Sequence, residues 1–203
     1  RRQRQMCIRD SVAPNLIVHK TNSRLTDDLA LICEYKPAMV IASVGSPAPI
    51  IDAIHGYGGL VFADIATMRH AEKAIEAGAD GLILLTAGAG GQTGWANPFA
   101  FVRGVRKIFD GPIVLAGGVG DGQALRAAEV LGCDLAYMGT RFIATQESMA
   151  KQAYKDMLVS SKLDDVKLTK AMTGLETNML IPSLLAAGLD PENLPERGSV
   201  SID

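Results

Sequence analysis

Residues 82–101 read LILLTAGAGGQTGWANPFAF, residues 112–132 read PIVLAGGVGDGQALRAAEVLG, and residues 135–142 read LAYMGTRF. Three short apolar runs each end in a glycine-rich turn, and a helical pattern follows the first two. Short apolar runs bounded by glycine and proline read as strands buried on both faces, the habit of a parallel sheet covered by helices. Glycine has no Cβ, so backbone N–H groups at such turns can approach a ligand closely and take positive φ. A turn between a strand's end and a helix's start offers an anion free N–H groups and a partial positive charge. Two such turns, after Leu115 and after Met138, point to a phosphate gripped between neighbouring loops.

The same unit repeats outward from this stretch. Asn15 to His19, Met39 to Val44, Leu60 to Ile65, Gly81 to Leu85, Pro112 to Ala116 and Leu135 to Met138 read as strands. Leu25 to Tyr35, Pro49 to Tyr57, Thr67 to Ala77, Pro98 to Phe109 and Asp121 to Leu131 read as the intervening helices, and Met149 to Ser160 as a further one. Thr67 is placed to cap its helix, and Gly78 and Gly132 to end theirs. About six βα units in succession predict an α/β fold, either a (β/α)8 barrel or a doubly wound sheet, and the spacing does not choose. In a barrel, the first two units would be missing. The segment after Thr169 is mixed and contains proline, and is expected to pack on the main domain or cover a site mouth. Residues 1–11, RRQRQMCIRDS, show neither periodicity and are expected to be a non-native leader on a fragment whose single domain covers residues 12–203.

Composition narrows the function classes. With 203 residues, 48% of them hydrophobic and 21% charged, the chain can bury a core. A net charge of −2 gives no basic field for nucleic acid or an anionic membrane surface. Three widely spaced cysteines, Cys7, Cys33 and Cys133, fit neither a disulfide framework nor a zinc site and fit a reducing cytoplasm. No His, Asp and Glu have metal-ligand spacing, and no serine elbow or Cys–His pairing is present. His19 reads as a bridging or surface residue near a strand end, His55 as exposed, and His70 as structural. Trp95 follows the glycine loop as a lid or as loop packing.

Taken together, the motifs resemble the nitronate monooxygenase family, formerly the 2-nitropropane dioxygenases. The matching residues are Asn15-Leu-Ile-Val-His19, Arg69-His70-Ala71, Glu76-Ala77-Gly78-Ala79-Asp80, Ala89-Gly90-Gly91-Gln92-Thr93-Gly94, Ala116-Gly117-Gly118 and Met138-Gly139-Thr140-Arg141-Phe142. The set, in this order, is specific where any one motif is weak. The resemblance implies an FMN-binding TIM barrel, a flavoprotein that oxidises alkyl nitronates with O2. A neighbouring branch, the FMN-dependent enoyl-ACP reductases, shares the motifs and implies enoyl reduction as an alternative. A barrel that binds a phosphate ligand without redox chemistry is a third reading. Carried over by residue, the flavin-phosphate contacts fall on Gly118, Gly139 and Thr140 within the Ala116-Gly117-Gly118 and Met138-Gly139-Thr140 motifs. Gly90 meets the flavin's ring or ribityl edge, and Asn15 makes a polar contact with it. Arg141 reads as a supporting charge more than a phosphate ligand.

Two positions depart from the family pattern. The family's base is a histidine where this chain has Gln92, and an amide cannot take and release a proton near neutral pH. Nitronates are already deprotonated, so their oxidation need not use that base, and Gln92 retains the capacity to orient substrate. Asp64 stands at a strand end where one branch has a lysine near the flavin. An acid there makes the site less welcoming to an anion; read locally, it is a loop or helix-entry acid.

Overall fold

A computed structural model describes residues 12–195; the expected leader and Cys7 lie outside the described residues. In chain order the strands are β1 (Asn15–Ile17), β2 (Met39–Ser43), β3 (Leu60–Ile65), β4 (Gly81–Leu85), β5 (Gly91–Gln92), β6 (Ile113–Ala116), β7 (Leu135–Tyr137), β8 (Val166–Thr169) and β9 (Thr177–Leu180). Six of them form one parallel sheet in the order β1-β2-β3-β4-β6-β7. Spatial order follows chain order without reversal, whereas a doubly wound sheet reverses at a switch point. Strand order therefore decides what spacing left open: this is the winding of a (β/α)8 barrel, here unclosed, with β1 and β7 as edges.

Alternation along each strand sorts the core into two layers. Val40, Ala42, Val61, Ala63, Leu82, Leu84, Ile113 and Leu115 face the helices and pack in the two clusters that lie between sheet and helices. Ile41, Phe62, Ile83, Val114 and Ala116 point the other way and form a third cluster on the inner face. The apolar-throughout strands are thus buried on both sides, as the sequence predicts. At the two edges the inner face thins out, and Ile17 and Tyr137 stand 49% and 46% exposed.

The helices are α1 (Leu25–Tyr35), α2 (Ala48–His55), α3 (Met68–Glu76), α4 (Pro98–Val105), α5 (Gly122–Leu131), α6 (Thr140–Ile143), α7 (Gln152–Ser160) and α8 (Ile181–Ala186). Thr67 caps α3 by accepting the His70 N–H at 3.1 Å, and Asp121 caps α5 by accepting the Ala124 N–H at 2.8 Å. Helix α4 stops at Val105, short of the expected Phe109. Arg106 caps it with helical backbone angles, and its side chain donates to the carbonyls of Gly111 and Gly132, at 2.8 and 2.6 Å.

The N-terminal ends of the strands carry a repeated clamp. Asp80, in Gly78-Ala79-Asp80, accepts the Val61 N–H at 2.7 Å and a bond from His55 at 2.9 Å. Asp134, in Gly132-Cys133-Asp134, accepts the Ile113 N–H at 2.8 Å and a bond from Arg106 at 2.7 Å. In both units an acid entering one strand ties down the first amides of its neighbour. This end of a barrel serves stability, and the opposite end carries chemistry. His55, expected only to be exposed, belongs to the first clamp. Cys133 is buried and its thiol is pushed up to about 11, chiefly by burial, so it stays a protonated hydrophobe.

Beyond the barrel units, β5, β9 and β8 make a small antiparallel sheet that no local pattern announced. The Ile113 N–H, more than Arg106, holds the Asp134 carboxyl below the usual range, so its contribution is present at neutral pH and is lost as pH falls through that lowered value. Asp134→Ala is expected to cost about 1 kcal/mol at neutral pH and less in acid, as read by urea unfolding.

Candidate active site

The parallel sheet brings all its C-terminal strand ends to one side, and a cavity of about 1080 Å³ opens there. Its lining joins inner-face residues of β1, β2 and β3 (Asn15, Ser43 and Asp64) to the loops after β4, β6 and β7. Asn15, Gly90, Gln92, Gly118, Met138, Gly139 and Thr140, each singled out in the sequence, all line this one cavity. Leu158 and Val159 of α7 add an apolar wall.

Specific hydrogen bonds fix the loop after β4. Thr86 is fully buried and donates its hydroxyl to the carbonyl of Ala116 at 3.0 Å, tying the end of β4 to the end of β6. Thr93 donates back to the carbonyl of Thr86 at 2.9 Å, which closes the loop on itself. The far tail holds its outer edge: Gly91 and Gln92 pair with Asn178 and Thr177 of β9. The Asn178 side-chain amide donates to the carbonyl of Ala89 at 2.8 Å. The tail expected to pack on the domain or cover a site mouth therefore backs the glycine loop.

Close approach explains two of the glycines. Gly117 has φ +132°, and a Cβ there would lie 2.5 Å from the Thr86 hydroxyl. A Cβ on Gly90 would lie 2.6 Å from the Thr140 hydroxyl, so the loops after β4 and β7 touch across the cavity. At Gly118, Gly120 and Gly139 the reverse holds, and a Cβ would meet nothing within 4 Å. Their N–H groups, with that of Thr140, make no hydrogen bond among the described residues. Backbone donors left open in a cavity are what an oxyanion needs. Arg141 lines the same wall and supplies a cation.

Across the cavity, Ser43 donates to the Asn15 side-chain carbonyl at 2.5 Å, which leaves the Asn15 amide N–H groups to face a ligand. Val44, at the end of β2, has φ +58°, a conformation that β-branched residues rarely hold without local strain. Asp64 is half-buried, and its Oδ1 is cut off from solvent with no hydrogen-bond partner among the described residues. Burial pushes its carboxyl up to about 6. A second cavity, of about 380 Å³, shares Val44, Asp64, Leu85 and Gln92 with the first. Asp64 lies within β3, so of its two readings the strand-end acid fits and the loop or helix-entry acid does not.

The remaining candidates lie elsewhere. Trp95 is 75% exposed and lines neither cavity, so it is no lid in this structure. His19 has Nδ1 2.8 Å from the Thr21 hydroxyl. Among the described residues no group of three His, Cys, Asp or Glu side chains could hold a metal ion, and no helix is long and apolar enough to cross a membrane.

The nitronate monooxygenase family model matches residues 7–188, nearly the whole chain. The chain belongs to the nitronate monooxygenase family. A nitronate monooxygenase of Paraburkholderia phytofirmans is 30% identical over 184 residues, covering 86% of this chain and 50% of that protein. Among solved structures, FabK from Thermotoga maritima superposes with a TM-score of 0.76 at 30% identity, over 82% of this chain and 53% of that one. A nitroalkane oxidase from Streptomyces ansochromogenes does so with a TM-score of 0.72 at 29% identity, over 77% and 49%. The chain spans about half the length or less of the curated relatives it matches. These likenesses agree with the barrel winding of the parallel sheet.

In the unfolded chain the Asp64 carboxyl loses its proton near 3.8, and in the folded one near 6. The folded state thus gains stability from the neutral carboxyl below the lower value and loses it as pH rises through the upper one. At neutral pH the buried carboxylate costs on the order of 3 kcal/mol. Asp64→Asn is expected to raise the melting temperature by several degrees at neutral pH and by little in acid, as checked by thermal melts at both.

Proposed function

We propose that this protein is an FMN-dependent monooxygenase that oxidises small alkyl nitronates with O2, built on the single domain of residues 12–203 and working in the reducing cytoplasm. The observation that carries the reading is the meeting of two open-amide loops, Gly118–Gly120 and Gly139–Thr140, in one cavity that also holds Gly90, Gln92 and Asn15. Family membership supports a flavin, and one phosphate-sized nest of amides favours FMN.

The residues present fit such a group. Gly118, Gly139 and Thr140 would hold its phosphate through N–H groups and a hydroxyl, and Met138 and Gly90 would flank its body. The Asn15 amide would donate to its polar edge. Bound there, the flavin supplies the two-electron oxidation and the reaction with O2. The protein's own work is positional. Gln92 is held by β9 and presents an amide that can donate to a substrate nitro oxygen and orient it. Leu85, Leu158 and Val159 give the cavity an apolar wall against which a short alkyl chain can lie.

The whole protein is expected to purify yellow and to release FMN, about one per chain, and to consume O2 with propyl-2-nitronate. A Gly139 side chain has room in the fold, because its φ of −100° suits any residue and a Cβ there would meet nothing within 4 Å. Gly139→Leu should therefore weaken FMN binding at least about tenfold while leaving the melting temperature of the flavin-free protein unchanged. A colourless protein that cannot be reconstituted with FMN would overturn the proposal, and NADH-dependent reduction of an enoyl thioester in place of nitronate oxidation would move it to the enoyl-reductase alternative.

A further inference from the structure

Resting on that reading, we infer that Asp64 is the proton acceptor of this site, and that the smaller cavity behind it receives a neutral carbon acid of the nitroalkane type rather than only the preformed anion. Four residues, Val44, Asp64, Leu85 and Gln92, form the seam between the two cavities. A molecule lodged in the smaller cavity thus lies against residues that also line the larger one. The walls of the recess are mostly small and apolar, with Ala63, Ala66, Ala74 and Leu175 among them, which suits a short alkyl chain.

At the seam there are two polar side chains, Asp64 and Gln92. Gln92 has no lone pair basic enough to take a proton from carbon. The Oδ1 oxygen of Asp64 has no partner among the described residues and no solvent reaches it. A carboxylate with one oxygen stripped of water and hydrogen bonds is a stronger base than one fully solvated. Its burial raises the carboxyl to about 6, so near neutral pH most of it is in the accepting form and its basicity lies close to the working pH. The other titratable or charged groups around the cavities are Tyr137 and Arg141 on the larger one and His70 and Lys73 of α3 on the smaller. From β2 and β4 only uncharged residues line the seam, so no fixed charge on the neighbouring strands competes for the proton.

The step balances without a further reagent. The α C–H bond of the nitroalkane breaks, its electron pair stays on the substrate as the nitronate, and the proton forms an O–H bond on Asp64, to return to water after turnover. Gln92 donates to a nitro oxygen, where the charge develops. The same carboxylate explains why a neutral substrate suits the site: an anion arriving beside ionised Asp64 is repelled, whereas a neutral acid removes that charge as it gives up its proton.

The test compares nitroethane and ethylnitronate on the flavin-loaded whole protein and its Asp64→Asn variant. The ratio of kcat/KM for nitroethane to that for ethylnitronate should fall at least about hundredfold in Asp64→Asn. In the wild type, nitroethane turnover should decline as pH drops through about 6. Loss of α-deuterium from deuterated nitroethane to water, followed by NMR without O2, should be catalysed by the wild type and not by the variant. An unchanged ratio with unchanged deuterium loss overturns the role of Asp64 and leaves nitronate oxidation standing. Failure of the wild type to oxidise ethylnitronate overturns the functional reading instead, and the deuterium measurement then decides Asp64: exchange that vanishes in the variant supports it, and exchange that persists or never occurs overturns it.

Discussion

One buried hydrogen bond, from the hydroxyl of Thr86 to the carbonyl of Ala116, sets the position of the loops around the cavity. It fastens the end of β4 to the end of β6 where the ladder between those strands runs out, and it sits where no water competes for either partner. Gly117 must be glycine because this hydroxyl occupies the space its Cβ would need. With Thr86 fixed, Thr93 closes the loop onto the Thr86 carbonyl, and Gly90 comes to rest against Thr140 on the far side. The loops after β6 and β7 then line the same cavity, with the N–H groups of Gly118, Gly120, Gly139 and Thr140 unpartnered among the described residues. The Thr86 N–H donates to the same carbonyl at 2.9 Å, so valine at position 86 would keep the shape and the backbone tie and lose only the hydroxyl's bond.

The two ends of the sheet divide their duties. At the N-terminal end Asp80 and Asp134 are satisfied by backbone N–H groups and by basic partners, and they hold strands together. At the C-terminal end Asp64 is left without such partners beside a residue, Val44, held in an unfavourable backbone conformation. Three acids on strands or at their entries thus meet opposite treatment by the same fold. An arrangement that sacrifices stability at one spot while reinforcing it elsewhere is typical of sites that carry chemistry.

Much of this was legible in the sequence, for local reasons. Apolar runs closed by glycine mark parallel strands because their burial on both faces is written in adjacent residues. Thr67 and Asp121 mark helix starts because a cap acts within three residues. The glycines after Ala116 and Met138 were readable as turns at strand ends for the same reason, and those turns line the cavity. Strand order was not legible, since winding is a relation among distant strands. Nor was the pairing of a two-residue strand, Gly91–Gln92, with β9, whose partner bond from Asn178 to Ala89 spans 89 residues. Asp64 was visible as an oddity, but its isolation comes from β2, β4 and the loop after β4, and no local pattern reveals that. Trp95 reads locally as a lid or as loop packing, and only the structure shows that it stands exposed and lines neither cavity.

The central claim is that amides from two neighbouring strand ends converge on one phosphate. Titration of FMN into the amide-labelled whole protein, followed by NMR, tests it directly. The N–H resonances of Gly118, Gly120, Gly139 and Thr140 should shift downfield together and saturate at one FMN per chain, while those of Val61 and Ile113 at the opposite end stay in place. Saturable binding that leaves these four amides unmoved, or that moves only one of the two loops, would contradict it.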